Sequence, residues 1–413
     1  MSAELQREAL PRGRWLAIVG IGEDGVAGLS DEAKRLIAQA AIVFGGRRHL
    51  ELAAPLIAGQ PRPWPSPFDM AVTAVRAQAG RHVCVLASGD PFFHGVGATL
   101  ARSFPAAEMN VVPAPSSFSL AAARLGWALQ ETDIVSLHGK PPALVRRFLH
   151  PGRRLLCLTS DAAAPAAIAA LLAALGFGRS RLTVLEALGG PAERIRAATA
   201  DAFALENINP LNLLAIEVES TREARIIPLA SGLPDDAFEH DGQISKREIR
   251  ALTLSALAPR RGELLWDIGA GSGSVAVEWM LADPSLRAVA VEANPGRAAR
   301  IRRNADALGV PWLKVAEGQA PAALENLDRP HAIFVGGGAS DPGVLDAAIA
   351  ALPAGGRLVV NAVTLETEAV LIARHADTGG VLTRLCVERS GPVGAMTAWR
   401  PALPVVQWSW VKP

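Results

Sequence analysis

The chain has 413 residues, enough for two domains that each bury a core of their own. Hydrophobic residues make up 50% of it and charged residues 20%, as in an ordinary globular protein. The formal net charge of +1 lacks the basic excess of most nucleic-acid-binding proteins, so an anionic substrate would have to be held by a local group of Arg and Lys side chains.

The sequence also argues against membrane insertion and secretion. No apolar run approaches the roughly 18 residues that a transmembrane helix needs, and Met1–Arg14 has no apolar block after a basic start. Cys84, Cys157 and Cys386 lie far apart, without the spacing of a metal site or a disulfide framework. We therefore expect a cytoplasmic protein with buried thiols, no metal site, and no nucleic-acid or membrane partner.

In the N-terminal half, apolar strand-like runs alternate with helical patterns at the spacing of βα units. The predicted strands are Trp15–Val19, Ala41–Phe44, Val83–Ala87, Asn110–Pro113, Ile134–Leu137, Leu155–Leu158, Arg181–Glu186 and Leu211–Val218. Helices are predicted between them, for example over Asp31–Ala40 and Ser116–Leu125.

Periodicity is then lost between Glu219 and Gln243, where Pro, Gly and Asp become frequent. This change predicts a first domain over residues 1–222, a linker over 223–243 and a second domain over 244–413. No internal repeat relates the two halves.

The second half is again an α/β series. Its predicted helices are Lys246–Leu257, Ser274–Leu281, Pro295–Leu308, Pro342–Leu352 and Leu365–Ala376. Its predicted strands are Glu263–Asp267, Ala288–Glu292, Trp312–Val315, Ala332–Val335, Arg357–Val360 and Thr383–Val387. The segment Gly391–Trp410 is predicted to be an antiparallel hairpin at the edge of the sheet.

The sharpest motif is a glycine-rich turn between a buried strand and a helix in the second half. The residues predicted to contact a cofactor there are Asp267, Gly269, Ala270, Gly271, Ser272, Gly273 and Ser274. Glycines let the backbone turn tightly and approach a ligand. Glu292 ends the next strand, where a carboxylate can accept hydrogen bonds from a ribose diol.

Two cofactors fit this pattern. A dinucleotide fingerprint requires Gly-x-Gly-x-x-Gly, but here Ser274 stands at the sixth position. Asp267, just before the first glycine, suits a cationic amino-acid tail and is badly placed beside a pyrophosphate. The pattern therefore favours S-adenosylmethionine, with an NAD(P)-dependent oxidoreductase or a methyltransferase acting on RNA or protein as the alternatives.

Further residues are predicted to complete the same pocket. Gln319 and Ala320 follow the third strand, where the Gln319 carbonyl could accept a bond from an adenine amino group. Gly336 ends a later strand. The cofactor predictions upstream are Gln243 and Ser245, and Ser245 with Glu248 is typical of a capping box.

The predicted catalytic residues of this domain are two cations and an amide. Lys246 and Arg250, with Arg247, lie on the first two turns of a helix and could clamp substrate carboxylates. Asn361 ends a strand that reaches the same edge.

The N-terminal half carries several polar, glycine-rich loops at successive strand ends, which is how α/β folds assemble a binding site. The residues predicted to contact a cofactor are Gly20, Gly22, Ser88, Gly89, Asp90, Ser116 and Ser117. Asp90 precedes a proline, so an Asx-turn is an equal alternative for its side chain.

These motifs resemble known families. The loops Val19–Gly22, Leu86–Pro91, Pro115–Ser117 and Ser136–Gly139 are similar to those of the tetrapyrrole (corrin and porphyrin) methylases. The segments Gln243–Glu248, Asp267–Ser274 and Val359–Glu366 are similar to the class I methyltransferases of late corrin-ring synthesis. In this order on one chain, they resemble the precorrin-6Y C5,15-methyltransferase (decarboxylating) family.

The resemblance implies an α/β fold in both halves. The first would be a tetrapyrrole methylase fold of two α/β subdomains with a cleft, and the second a Rossmann-like class I methyltransferase with a mostly parallel seven-stranded sheet. Two residues depart from the family pattern, because Glu23 stands where proline is usual and Gln319 where an acid is usual.

The implied reaction uses S-adenosylmethionine and a tetrapyrrole substrate in cobalamin biosynthesis. The N-terminal domain would methylate precorrin-6Y or 6B at C5. The C-terminal domain would methylate C15 and decarboxylate the C12 acetate, giving precorrin-8X. A homo-oligomer, either dimer or tetramer, is expected.

Overall fold

The computed structural model describes residues 13–66 and 68–413, so the prediction made for Met1–Arg14 falls almost wholly outside it. The chain divides into two compact units. The N-terminal unit runs to Pro142 and includes His150–Arg225, and the C-terminal unit comprises Ala143–Leu149 and Ile226–Pro413. Among the helices of the described chain, none has the length and apolar character needed to cross a membrane.

The first sheet of the N-terminal unit is parallel throughout. Its strands are β1 (Leu16–Ile21), β2 (Ile42–Gly45), β3 (Gln60–Pro63), β4 (Val83–Ser88) and β5 (Met109–Val112), in the order β3-β2-β4-β1-β5. The helices around it are α1 (Asp31–Gln39), α2 (Arg47–Ala53), α3 (Ala71–Arg76) and α4 (Val96–Leu100). Because Ile21 pairs with Ser88, the loops that follow β1 and β4 emerge side by side.

The second sheet of this unit is mixed. Two helices, α5 (Ser117–Leu125) and α6 (Ala164–Ala174), accompany the strands β6 (Thr132–Ser136), β7 (Arg154–Leu158), β8 (Arg181–Glu186), β9 (Arg194–Thr199) and β10 (Asn212–Glu217). The order is β6-β7-β10-β8-β9. The sequence pattern missed β3 and β9, which are edge strands with exposed or half-exposed residues. An edge strand needs little apolar patterning, and β3 contains two prolines, which are tolerated at edges.

The C-terminal unit is built on one large sheet. Its strands are β11 (Leu264–Ile268), β12 (Arg287–Glu292), β13 (Lys314–Glu317), β14 (Ala332–Val335), β15 (Arg357–Ala362), β16 (Val381–Leu385), β17 (Glu388–Val393), β18 (Met396–Pro401) and β19 (Val405–Val411). Its helices are α7 (Arg247–Leu257), α8 (Ser274–Ala282), α9 (Pro295–Ala307), α10 (Val344–Ala351) and α11 (Leu365–Thr378).

Seven of these strands form the sheet in the order β13-β12-β11-β14-β15-β19-β16, with only β19 antiparallel to its neighbours. The predicted seven-stranded, mostly parallel sheet is therefore confirmed. Successive residues of β11 point into different cores, since Leu265 belongs to one hydrophobic cluster and Trp266 to the other. Both faces of the sheet are thus covered, as a parallel sheet requires.

The prediction of an edge hairpin over Gly391–Trp410 is wrong. β19 lies inside the sheet, between β15 and β16, with Trp408 fully buried. The hairpin is instead formed by β17 and β18, which pair with each other as a separate two-stranded sheet. Alternation of apolar residues in 405–411 predicted a strand but could not assign its neighbours.

The predicted linker 223–243 also needs correction. Ile227, Leu233 and Phe238 are buried in the same core as the α8 residue Trp279. Residues 226–243 therefore pack as part of the C-terminal unit. The three apolar side chains are too widely spaced to give a helical or strand period, so the sequence pattern indicated only a connection.

Candidate active sites

The turn that follows β11 forms one wall of the C-terminal site. Gly269 and Gly271 have φ angles of +68° and +59°, a left-handed conformation that favours glycine. A Cβ on Gly269 would lie 2.7 Å from the carbonyl oxygen of Gly337, and a Cβ on Gly271 would lie 3.0 Å from that of Gln243. The turn needs glycine both for its conformation and for the close approach of two other loops.

Glu292, at the end of β12, turns its carboxylate toward this bend. One oxygen accepts a hydrogen bond from the Gly271 amide at 2.8 Å, and the other accepts one from the Asn294 amide at 3.0 Å. The residue is only 6% exposed, so these two amides hold the carboxylate at the carboxyl edge of the sheet. This is the position that a ribose contact requires, and the contact itself stays a prediction.

A cavity of about 640 Å³ lies against the bend, within the size range of small-molecule sites. It brings together most of the predicted residues, namely Gln243, Ser245, Lys246, Gly269, Ala270, Gly271, Ser274, Glu292, Gln319, Ala320, Gly336 and Asn361. The lining also contains three charged residues that the sequence analysis did not mention, Arg297, Asp341 and Arg389. It contains Glu248 as well, which had been predicted only as part of a helix cap.

Three predicted cofactor contacts lie behind the cavity wall instead. Asp267 is 1% exposed, and its carboxylate accepts a bond from the Ala276 amide at 3.0 Å. Ser272 is fully buried, and a Cβ on Gly273 would lie 2.7 Å from a methyl carbon of Ile301. These residues shape the bend and pack it against the sheet and α9, so the predicted direct contacts are corrected for all three.

Burial has a second consequence for Asp267. Burial and, to a lesser extent, the nearby Glu292 charge raise the pKa of this carboxyl group, the Ala276 hydrogen bond lowers it, and the net pKa is about 7. One carboxyl oxygen has no hydrogen-bond partner among the described residues. The protonated and ionised forms of this group therefore exchange near pH 7.

The prediction that Arg250 clamps substrate is wrong in this structure. The residue is fully buried, and its guanidinium donates to Glu278 at 2.5 Å and to Asp235 at 3.2 Å. It also donates to the carbonyl oxygens of Leu233 and Ser245. All of these bonds tie residues 233–245 to α7 and α8, so Arg250 holds a structural position away from the cavity lining.

The predicted capping box is also absent. The helix α7 begins at Arg247, and its N-cap is Lys246, whose side chain makes no capping bond. Glu248 pairs instead with Arg389 of β17. Ser245 lies one residue before the N-cap, and its carbonyl oxygen accepts a hydrogen bond from Arg250.

Lys246 and Asn361 do reach the cavity. The Lys246 side chain is 45% exposed, and its ammonium lies 3.9 Å from the nearest Asp235 oxygen. Asn361 donates to the Thr253 hydroxyl at 2.9 Å and accepts from the Gln407 amide at 3.0 Å. The Lys246 ammonium is therefore only loosely paired in the cavity lining, whereas the Asn361 amide is fixed by a network from α7 and β19.

In the N-terminal unit, the loops after β1, β4 and β5 meet tightly. A Cβ on Gly20 would lie 1.9 Å from the Gly89 carbonyl oxygen and 2.6 Å from the Ala114 amide nitrogen. Gly89 itself has φ +52°, and a Cβ there would lie 2.8 Å from the Pro115 carbonyl oxygen. Predicted residues from three separate loops are thus in contact through backbone atoms that only glycine permits.

The side chains in these loops serve local structure. Asp90 accepts a bond from the Phe92 amide at 2.8 Å, which is the Asx-type alternative. Ser116 caps α5 by accepting from the Ser119 amide at 3.1 Å, and Ser117 is the first residue of that helix. Gly22 leads into the Asp24 turn, where a Cβ would lie 2.7 Å from an Asp24 carboxyl oxygen.

Comparison with known proteins matches each half of the chain to a family of methyltransferases. The tetrapyrrole (corrin/porphyrin) methylase model matches residues 16–204, and a precorrin methyltransferase domain model matches residues 236–412. A precorrin-6Y C(5,15)-methyltransferase [decarboxylating] from Sinorhizobium sp. is 62% identical over 96% of each chain. The chain belongs to the precorrin-6Y C(5,15)-methyltransferase (decarboxylating) family.

Other members of this family are also similar. The enzyme of the same name from Mycobacterium tuberculosis (strain CDC 1551 / Oshkosh) is 43% identical over 96% of this chain and 100% of its own. A crystal structure of the C-terminal domain of the Rhodobacter capsulatus enzyme is 47% identical, covers 45% of this chain and 100% of that chain, and has a TM-score of 0.43. Membership in the family makes the chain a methyltransferase and not an NAD(P)-dependent oxidoreductase.

The sequence analysis missed Arg48 and His49, which belong to a group of polar residues in the N-terminal unit. At the ends of β2 and β4, His49 lies 2.8 Å from the Ser88 hydroxyl, and Arg48 donates to the same hydroxyl at 3.2 Å. Arg48 also forms an ion pair with Glu23, the residue that replaces the usual proline. The charged run that follows β2, at a strand end beside the predicted loops, was the signal that could have found this group.

The electrostatics of this group follow from burial. Desolvation, followed by the charge of Arg48, lowers the pKa of His49 to about 4. Arg48 can only donate, and it lies 3.0 Å from the Nε2 atom of His49. His49 is therefore neutral near pH 7, and its Nδ1 atom is buried without a hydrogen-bond partner among the described residues.

Proposed function

We propose that this chain is a bifunctional S-adenosylmethionine-dependent enzyme of cobalamin biosynthesis. The N-terminal unit would methylate precorrin-6Y or 6B at C5. The C-terminal unit would methylate C15 and decarboxylate the C12 acetate, giving precorrin-8X. The observation that carries the proposal is the Glu292 carboxylate, held by the Gly271 amide beside a cavity of about 640 Å³.

The residues present fit the proposed cofactor. The backbone of the bend itself lines the cavity at Gly269 and Gly271, where it can lie directly against a ligand. Glu292 would hold the ribose, and Gln319 would accept a bond from the adenine amino group. In the N-terminal unit, the contacting loops at Gly20 and Gly89 would hold the second molecule.

When bound, S-adenosylmethionine supplies a methyl group already activated on a sulfonium. The protein's own task is to place an electron-rich ring carbon in line with that methyl group and to exclude water. Asn361, fixed by Thr253 and Gln407, offers a rigid polar contact for this purpose. No protein nucleophile is required by such a displacement.

Decarboxylation calls for a different contribution. The bond between the carboxylate and its methylene carbon breaks, CO2 leaves, and the conjugated ring accepts the electron pair before the remaining carbon is protonated. Lys246 lines the cavity and would bind peripheral carboxylates of the ring, orienting the acetate to be lost. Removal of that acetate from water favours its loss.

Incubation with the tetrapyrrole and a labelled methyl donor, followed by mass measurement, tests the proposal. Two methyl gains and one CO2 loss are expected. Lys246→Ala should raise the KM for the tetrapyrrole and slow CO2 loss, because one carboxylate contact is removed. A single methyl gain, or no affinity for S-adenosylhomocysteine, would contradict the two-site assignment.

A further inference from the structure

The arginine side chains that line the C-terminal cavity differ in how firmly neighbouring residues hold them. Arg297 is held by Asp241 at 3.0 Å, and the same carboxylate also pairs with Arg300 at 3.1 Å. Because Asp241 further accepts a bond from the Gln243 amide, Arg297 is part of the wall that carries the loop at Gln243. It is not free to follow a substrate.

Arg389 is placed differently. It lies on β17, in the hairpin that stands apart from the main sheet, and its side chain is 50% exposed at the cavity. Its partner Glu248 lies in the first turn of α7, lines the same cavity and is 42% exposed. The ion pair therefore joins two separate elements across one edge of the cavity mouth.

We propose that Arg389 is a substrate-specificity residue that binds a peripheral carboxylate of the tetrapyrrole, and that Glu248 occupies its guanidinium until the substrate arrives. This inference rests on the proposed function of the C-terminal site. It assigns to β17 the role that the sequence pattern had given to Arg250, which is buried among its own partners.

The exchange is chemically balanced, because one carboxylate replaces another on the same guanidinium fork. Solvent-exposed ion pairs contribute little stability, so breaking the pair costs little. A planar guanidinium binds a carboxylate through two parallel hydrogen bonds, which would fix the orientation of the ring. No bond is made or broken other than these hydrogen bonds.

Glu248 can also remain charged without Arg389. It lies near the N-terminus of α7, where the helix dipole stabilises a negative charge. Partial burial raises the pKa of Glu248, but hydrogen bonds from the backbone and Arg389 outweigh it, and the net pKa lies below the ordinary value. Part of its stabilisation thus comes from the helix itself.

Three substitutions separate this role from a structural one. Arg389→Ala should raise the KM for the tetrapyrrole, and its Kd in the presence of S-adenosylhomocysteine, by about tenfold or more, as loss of a charge-assisted hydrogen bond predicts. Glu248→Gln should lower both constants, because a competitor for Arg389 is removed. Arg389→Lys should lie between wild type and Arg389→Ala, since Lys keeps the charge but not the planar fork.

The matched controls come from an ion pair outside the cavity lining. Arg384 of β16 pairs with Glu368 of α11, so Arg384→Ala and Glu368→Gln should leave both constants unchanged. Affinity for S-adenosylhomocysteine should be the same in every variant, which verifies that the domain is folded.

The outcomes are decisive in either direction. If Glu248→Gln and Arg389→Ala both weaken tetrapyrrole binding, the pair is a structural connection and the inference is overturned. Unchanged constants in both variants also overturn it while leaving the proposed function intact. A wild-type enzyme that neither binds nor methylates the tetrapyrrole would overturn the proposed function and this inference together.

Discussion

Replacement of Glu292 by glutamine is the most direct test of the C-terminal cofactor site. The carboxylate is buried and accepts from two backbone amides, those of Gly271 and Asn294. A glutamine side chain has one oxygen, so its NH2 group would face one of these two donors. Leaving that amide without an acceptor should lower the free energy of unfolding by about 1–3 kcal/mol.

The same substitution should also weaken binding of the cofactor at this site. Hydrogen bonds to a charged group are worth about 1.5–3 kcal/mol, which corresponds to a loss of about 10- to 150-fold in Kd. Calorimetric titration with S-adenosylhomocysteine should give two sites per chain in the wild type. In Glu292→Gln, one site should keep its affinity and the other should weaken by that factor.

The control is Glu317, which pairs with Glu292 in strand register on the neighbouring β13. Its carboxylate forms an ion pair with Arg302 at 2.7 Å and is 47% exposed. Glu317→Gln should leave both sites unchanged. A Glu292→Gln titration that superimposes on that of the wild type would refute the assignment of the ribose contact.

Three further predictions concern other parts of the chain. Gly20→Ala should abolish methylation at C5 while C15 methylation persists in the mass assay, because the new methyl group would overlap the Gly89 carbonyl oxygen; retention of both methyl gains would contradict the site. Burial raises the pKa of Asp267 to about 7, so the folded state keeps a proton that the unfolded state releases near pH 4. The contribution of this group to the free energy of unfolding should therefore fall as the pH rises from about 4 to 7. Urea unfolding of Asp267→Asn should lose that part of the pH dependence, and identical pH profiles would disprove it. Arg250→Met should lower the free energy of unfolding by about 3–5 kcal/mol, since it leaves the buried Glu278 charge without its cation; unchanged unfolding with lost turnover would return Arg250 to the active site.

Local backbone chemistry explains what could be predicted of the fold and site. The Gly269 turn and Glu292 follow from a strand–turn–helix pattern within a short stretch, and both fall at the cavity. The Ser116 cap of α5 is likewise a local signal. Each depends on residues close in sequence or on adjacent parallel strands, so the pattern itself contains the geometry.

Contacts between residues that are far apart in sequence explain which parts of the fold and site could not be predicted. Arg250 looked like a free helical cation because its buried partner Glu278 lies on a different helix. Arg389 carries no motif, and it lines the cavity and pairs with Glu248, a residue 141 positions away in sequence. The neighbours of β19 were equally hidden, since alternation along a strand does not reveal where in the sheet it inserts.

The position of β19 has a consequence for synthesis of the chain. A ribosome makes this strand after every other strand of its sheet, yet it fills the gap between β15 and β16 and supplies Gln407 to Asn361. A nascent chain that has emerged only as far as the hairpin would lack the strand that pairs with β15 and β16. An unpaired strand edge attracts other strands, so a chain that lacks β19 would expose such an edge on β15.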